Sequence, residues 1–331
     1  MTEIIPGIYR LRVPIPNNPL EYTNTYLIRG DGENLLIDTG WNSEDALQSL
    51  KRQLSETGVN IKDISRVLVT HAHGDHYGLA GQIKELSGAS ISLHYLEEKL
   101  LAPRYQNLDE FLSQTEQWFR SNGVPESELP ISWPGPAGGP RPSAPILPDT
   151  TLRGGETISA GAFNLQVVWT PGHSQGHICL YEPALKILFS GDHVLPVITP
   201  NISLQPQSGL NPLSDFINSL NVVRELDVSL VLPAHEHTFT DLGKRVDEII
   251  EHHRLRNLEI LEAMKAGAKT AYDISTRITW MPELGGVRFQ DLAPWDKRMA
   301  VSETLAHLEA MVVDGTVEKL ARDGNFYYQR T

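Results

Sequence analysis

Four side chains able to bind a cation stand within six positions of this chain, where an apolar run stops: Arg66-Val67-Leu68-Val69-Thr70 is followed by His71-Ala72-His73-Gly74-Asp75-His76. The β-branched run reads as a strand, and alternation past its end sends His71 and His73 the same way. Gly74 permits a sharp turn that aims Asp75 and His76 at a second point. Imidazole and carboxylate suit zinc and other borderline divalent ions. A cluster of this kind needs a rigid strand end to present it and other segments to close around it.

Three further segments have that character. Thr170-Pro171-Gly172-His173-Ser174, Phe189-Ser190-Gly191-Asp192-His193 and Leu232-Pro233-Ala234-His235-Glu236 each place a His or Asp beside a small residue where an apolar run ends. One such residue is an ordinary turn residue; four sites in one chain point to a shared centre. With twelve His and one Cys, a metal site here is built from imidazole and carboxylate. Cys179 lies inside an apolar run and reads as a core residue, and a lone cysteine makes no intramolecular disulfide.

Strands are predicted at residues 8–13, 25–29 and 34–38, as a meander. A helix over 43–56 with Ser43 as N-cap, a strand at 66–70, a helix over 79–86 and a strand at 89–93 follow. Residues 96–150 interrupt the pattern: 109–119 looks helical and the rest is rich in Pro and Gly. This insertion is either a lid over the site or an ordered excursion. A second strand series (165–170, 178–181, 187–190, 229–232) flanks a helix at 212–226. Two strand-rich halves with helices outside suit an α+β sandwich of two mixed sheets. After a boundary placed near Glu251, the helices and a terminal hairpin turning at Asp323-Gly324-Asn325 outline a winged-helix-like module over 251–331.

The spaced set H-x-H-x-D-H, P-G-H, G-D and P-x-H resembles the metallo-β-lactamase superfamily over roughly residues 5–250, and within it the glyoxalase II type. The resemblance implies an αβ/βα four-layer sandwich with a catalytic domain over 1–250. It also implies two divalent ions, zinc first, with iron or manganese also suited. His71, His73 and His173 would hold one, Asp75, His76 and His235 the other, and Asp192 would bridge them. A metal-bridging hydroxide would be the nucleophile, with Asp75 and Asp192 as the catalytic carboxylates. Asp38, in Asp38-Thr39-Gly40, would accept an N–H from a ligand His or merely cap a turn, and Thr70 would act similarly. His193 either faces substrate or packs; His94, His252, His253 and His307 read as structural. Trp118, Phe119, Trp133, Ile198 and Asn201 are the candidate pocket lining, with a core role the stronger reading for the aromatics.

The 28 Lys and Arg against 41 Asp and Glu give a net charge of −13. Residues 251–331 hold 11 basic and 12 acidic side chains, so the acid excess lies on the catalytic part. That disfavours a polyanionic substrate. The expected activity is hydrolysis of a small ester, thioester or lactone-like molecule. The rivals are an endoribonuclease or phosphodiesterase of the lactamase-like winged-helix group, and a regulatory binder. Departures from the family pattern narrow the choice: Pro233-Ala234-His235-Glu236 stands where P-G-H-G is usual, the run after Asp192 lacks the tyrosine of lactone-hydrolysing relatives, and no basic cluster matches a glutathione site. No apolar run reaches the roughly 18 residues of a membrane span, and the first residues show no export signal, so a cytoplasmic protein is expected, with a homodimer possible through the appended module.

Overall fold

Leu35, Leu36 and Ile37 show how the chain builds its layers: in a strand, successive side chains face opposite ways. Leu35 and Ile37 pack against a second sheet, while Leu36 packs under two helices. The structure is a computed structural model that describes all residues except 31, 106, 130–145, 283 and 284, and only the backbone of 102–105.

Along the first half run β1 (Thr2–Ile5), β2 (Ile8–Pro14), β3 (Tyr22–Arg29), β4 (Asn34–Ile37), α1 (Glu44–Glu56), β5 (Ile64–Leu68), α2 (Gly74–Tyr77), α3 (Ala80–Ser87), β6 (Ser90–His94), α4 (Tyr95–Tyr105), α5 (Leu108–Ser121) and β7 (Thr150–Leu152). The second half has β8 (Thr157–Ala160), β9 (Phe163–Trp169), β10 (Ile178–Glu182), β11 (Ile187–Gly191), α6 (Pro212–Arg224) and β12 (Leu230–Pro233). It closes with α7 (Leu242–Ala263), α8 (Ala271–Ser275), β13 (Thr279–Trp280), β14 (Val287–Arg288), α9 (Pro294–Val313), β15 (Val317–Arg322) and β16 (Asn325–Arg330).

Among the described residues β1 to β7 form one sheet in sequence order, and β12-β11-β10-β9-β8 form another. Both are mixed: β1 to β4 pair antiparallel and β4 to β7 parallel, while β8 to β11 pair antiparallel and β11 and β12 parallel. The inner faces meet in one core, with Ile8, Tyr26, Ile28 and Leu68 against Leu165, Leu180, Ile187 and Phe189. Outside the first sheet, Leu47, Leu50 and Leu54 of α1 and Ile83 of α3 cover Leu11, Leu27 and Val67. Outside the second, Phe216 and Leu220 of α6 and Val246 and Ile249 of α7 cover Cys179, Leu188 and Val231. Each such apolar side chain is worth about 1.5–3 kcal/mol of burial, so a one-residue slip in an alternating strand such as β9 would turn its buried Phe163, Leu165 and Val167 out of the core.

Ser43 caps α1, its hydroxyl accepting the Ala46 N–H. α2, α4, β1, β7, β8, β13 and β14 are absent from the sequence-based outline, and β5 ends at Leu68, so Val69 and Thr70 lie just past it. The boundary near Glu251 falls inside α7, which runs unbroken because its apolar positions serve two cores in succession: Val246 and Ile249 in one, Ile260 in the other. That other core joins α8, α9 and the β15–β16 hairpin with Phe119 of α5, Val124 and Leu129. The insertion is therefore packed on the C-terminal segment, where Tyr272 donates its hydroxyl to Glu128 at 2.8 Å. No described helix is long and apolar enough to cross a membrane.

Candidate metal centre

β9 and β11 both pair antiparallel with β10, and β12 runs parallel to β11, so the C-terminal ends of β9, β11 and β12 open on one rim. His173, Asp192 and His235 follow those three ends. The facing sheet contributes the end of β5 and strand β3, and cross-sheet bonds join the two: Ile178 N–H to the Thr70 carbonyl at 3.0 Å, Asn24 N–H to Ala234 O at 2.6 Å, and the Tyr26 hydroxyl to Pro233 O at 2.8 Å.

All seven residues singled out from the sequence gather there. His71, His73 and His173 form one group, Asp75, His76 and His235 a second, and His71, His76 and Asp192 a third that overlaps both. His73 Nδ1 is 2.9 Å from His71 Nε2 and 3.1 Å from His173 Nε2. Tetrahedral nitrogens bonded to zinc at 2.0–2.1 Å would stand about 3.3 Å apart, so this spacing fits a shared cation. Asp192 Oδ2 lies 3.5 Å from both His76 Nε2 and His173 Nε2, and its Oδ1 lies 3.4 Å from His235 Nε2. Asp75 reaches His235 at 3.2 Å and His76 at 3.5 Å. His76 Nε2, His235 Nε2 and Asp192 Oδ1 are buried with no hydrogen-bond partner. Buried polar atoms without partners are costly, and here they converge on the place a cation would fill.

The opposite ring nitrogens are pinned by the protein. His71 Nδ1 meets Thr70 Oγ1 at 3.1 Å, His76 Nδ1 meets Asp38 at 2.8 Å, His173 Nδ1 meets Asn201 O at 2.9 Å and His235 Nδ1 meets Tyr22 O at 3.1 Å. Each bond turns Nε2 toward the centre. Asp38 thus takes the hydrogen-bonding role and not only a turn, and it also accepts the Thr70 N–H and hydroxyl. It does so at φ 59°, a left-handed backbone that costs a non-glycine residue on the order of 1 kcal/mol or more.

Two groups that hold this centre escape the sequence reading. His177 accepts the Asp192 N–H on Nε2 at 3.1 Å and donates from Nδ1 to Thr170 at 2.8 Å, fixing the loop that carries Asp192. The repeated Gly-His in Gly172-His173-Ser174-Gln175-Gly176-His177 is the signal that could have found it. Glu97, fully buried in α4, accepts Ala72 N–H at 2.8 Å and Gly176 N–H at 2.7 Å, tying the His71–His73 loop to the His173–His177 loop. Nothing in its sequence context marks it.

The pocket assignments fare differently. His193 is fully buried edge-on to Phe216, its ring centroid 5.0 Å away, in the packed position that was one of its two readings; burial drops its pKa to about 3. Asn201 turns its carbonyl to His173, and the Ile198 carbonyl accepts from Arg245. Phe119 is core, and Trp118 packs on that core while lining a cavity of about 220 Å³ with Leu204, Leu305 and Tyr328, away from the seven clustered residues. Trp133 lies outside the described residues. Cys179 is buried, its thiol pushed up to about 12 by that burial. The Ala234-His235-Glu236 departure also acquires a reason: Glu236 sits at φ 64°, where glycine is usual, yet its carboxylate accepts the Val197 and Ile198 N–H groups and so anchors the loop after Asp192.

Burial disfavours charge on every ring, but the carboxylates decide which rings keep it. His71, surrounded by other imidazoles, is held well below the ordinary histidine value. Against the cost of burial, Asp192, Asp75 and Asp38 hold His76 well above it, and Asp192 and Asp75 raise His235 to about 10. In the metal-free chain these two keep protons that an unfolded chain releases near pH 6.5. Their stabilisation is complete below about pH 6.5 and is lost as the pH rises through the folded values. The Tm of EDTA-stripped protein is therefore expected to fall between about pH 7 and 10, and that of metal-loaded protein, whose ligands need no protons, to hold. A metal-free Tm that stays level across that window counts against this charge arrangement. Glu97→Ala leaves two buried N–H groups unpaired and should cost about 3 kcal/mol in urea unfolding; a loss under about 1 kcal/mol would mean the loops stand without the carboxylate.

A profile of the metallo-beta-lactamase superfamily matches residues 18–235, ending on the last of the clustered histidines. The crystal structure of a metallo-beta-lactamase family protein from Thermus thermophilus is similar with a TM-score of 0.84 and 31% identity, covering 99% of this chain and 100% of that one. The "Probable metallo-hydrolase YqjP" of Bacillus subtilis (strain 168) is 25% identical over 333 residues, 98% of each chain. The human "Acyl-coenzyme A thioesterase MBLAC2" is 31% identical over 229 residues, 65% of this chain and 74% of that protein. With fold, matched span and convergent His and Asp side chains in agreement, this chain belongs to the metallo-beta-lactamase superfamily and is one of its hydrolases.

Proposed function

We propose that this protein is a dinuclear metal-dependent hydrolase acting on a thioester, with small esters and lactone-like molecules as neighbouring substrates. The observation that carries the reading is Asp192, whose two oxygens stand within 3.5 Å of rings from both triads. His71, His73 and His173 would hold one ion, Asp75, His76 and His235 the other, with Asp192 between, as in the glyoxalase II type. The all-nitrogen-and-oxygen donor set suits zinc first and also iron or manganese. A bound pair supplies an acidified water and polarises the bond under attack. The protein's own part is to hold the rings at fixed tautomers through Asp38, Thr70, Asn201 and Tyr22, and to keep the carboxylates ionised.

The thioester preference is supported by the relative named as an acyl-coenzyme A thioesterase. The acid excess on residues 1–250 weighs against RNA, the rival substrate. The sheets with helices outside are read as a four-layer sandwich, and the C-terminal helices and hairpin as a winged-helix-like module, here turned inward on the insertion. A cytoplasmic location and a homodimer belong to the same proposal.

Metal analysis of the purified chain should give about two ions per chain; one or none sinks the dinuclear arrangement. Against a panel of acyl-coenzyme A, uncharged acyl-N-acetylcysteamine, lactones, bis(p-nitrophenyl)phosphate and structured RNA, turnover is expected on the thioesters, with the uncharged one favoured because the acid excess also repels the phosphates of coenzyme A. Asp192→Asn or His73→Ala should abolish it while leaving the circular dichroism spectrum unchanged. Turnover of RNA alone would replace the thioester reading with the nuclease one.

A further inference from the structure

The loop between β11 and α6 leaves the metal centre at Asp192 and is fastened on its far side by the C-terminal segment. Asn201, within that loop, has two bonded ends. Its carbonyl accepts the His173 Nδ1–H at 2.9 Å, and its side-chain Nδ2 donates to Glu303 of α9 at 2.9 Å. Ser203 donates to Asn201 Oδ1 at 2.5 Å, so the amide cannot rotate freely. A residue further on, Leu204 N–H donates to the Ser302 carbonyl at 3.0 Å, which docks the same stretch on α9 a second time.

Glu303 is itself held. Its side chain is 12% exposed, and the guanidinium of Arg256 on α7, 4% exposed, stands 3.8 Å away. Arg256 in turn donates to Thr279 O at 2.9 Å and lies over the Trp280 ring at 4.6 Å, so the pair is set into the C-terminal core. A near-buried carboxylate in a helix interior is costly unless it is paired, and this one spends its pairing on the backbone support of a ring that faces the metal site.

We propose that Glu303 is a positioning residue for His173: the C-terminal segment reaches the metal centre through Glu303, Asn201 and the His173 Nδ1–H, and fixes the third nitrogen of the His71, His73 and His173 group. The inference rests on the metal reading above for its consequence, but the contact itself exists without metal. It gives the appended helices a role in the hydrolase that needs neither DNA nor a second subunit.

The test uses the full chain and three variants: Glu303→Ala, Glu303→Gln, which keeps an acceptor for Asn201, and Glu309→Ala, which removes the 2.9 Å contact to Tyr328 in the same core without touching Asn201. Zinc affinity is measured by competition with a chelating dye. Loss of a supporting partner typically weakens a metal site tenfold or more, so Glu303→Ala should lower the affinity of one of the two zinc ions by about tenfold, Glu303→Gln should restore most of it, and Glu309→Ala should lower Tm while leaving both affinities unchanged. In metal-free protein, long-range ¹H–¹⁵N spectra should show His173 as the Nδ1–H tautomer in wild type and Glu303→Gln, and as a mixture in Glu303→Ala. Unchanged zinc affinity in Glu303→Ala, an equal loss in Glu309→Ala, or an unchanged His173 tautomer would overturn the proposal. Wild-type protein that takes up no zinc would overturn the metal reading instead, and the tautomer comparison would still decide whether Glu303 fixes the ring.

Discussion

The Asp38 carboxylate is the contact on which the rest of the centre depends. It accepts Thr70 N–H at 2.8 Å, the Thr70 hydroxyl at 3.0 Å and His76 Nδ1 at 2.8 Å, so the end of β4, the loop past β5 and helix α2 meet on one side chain. Thr70 then supports His71, and its carbonyl receives Ile178 N–H from the other sheet. One anion therefore sets two rings and the seam between the sheets. The left-handed backbone at Asp38 is tolerated because these bonds over-determine it. A charge this buried, 2% exposed, is stable only with its acceptor sites filled, so the neighbours must keep their places for the fold as well as for the chemistry.

Much of this was legible in the sequence because strand alternation and strand-end residues are local signals. The apolar runs gave β2 to β6 and β9 to β12, and the small residue beside each His or Asp marked where the strands open on the rim. Naming the cluster residue by residue rested on the family resemblance beside these local signals; Gly191 takes positive φ at the strand end, and Asp192 follows it directly. Glu97 and Glu303 were not legible. Each lies on a helix among other polar residues, and its partners are 25 and 102 positions away in the chain, respectively Ala72 and Asn201. Long-range pairing of a single carboxylate leaves no periodicity to read.

The sequence left the place of the aromatics and of His193 open between wall and core for a related reason. An aromatic or imidazole near a predicted site has no sequence mark that tells a wall from a core, and here burial decided. His193 went under Phe216, and Trp118 and Phe119 went to the core shared by the insertion and α7 to α9. His253 and His307 belong to the same buried side, their rings 3.2 Å apart at Nδ1 and Nε2, and burial drops the pKa of His253 to about 3. Of the positions expected to touch substrate, Asn201 meets the centre, and through its carbonyl.

Helix α7 places Val246 and Ile249 in the core behind the second sheet and Ile260 in the C-terminal core, with no break between. A helix advances about 100° per residue. The angular relation between the catalytic sheets and the C-terminal segment is thus written into the number of residues in α7: adding or deleting one residue near Glu251 would swing Arg256 away from Glu303 even with every side chain kept. The length of α7, more than its composition, keeps the distant end of the chain in register with His173.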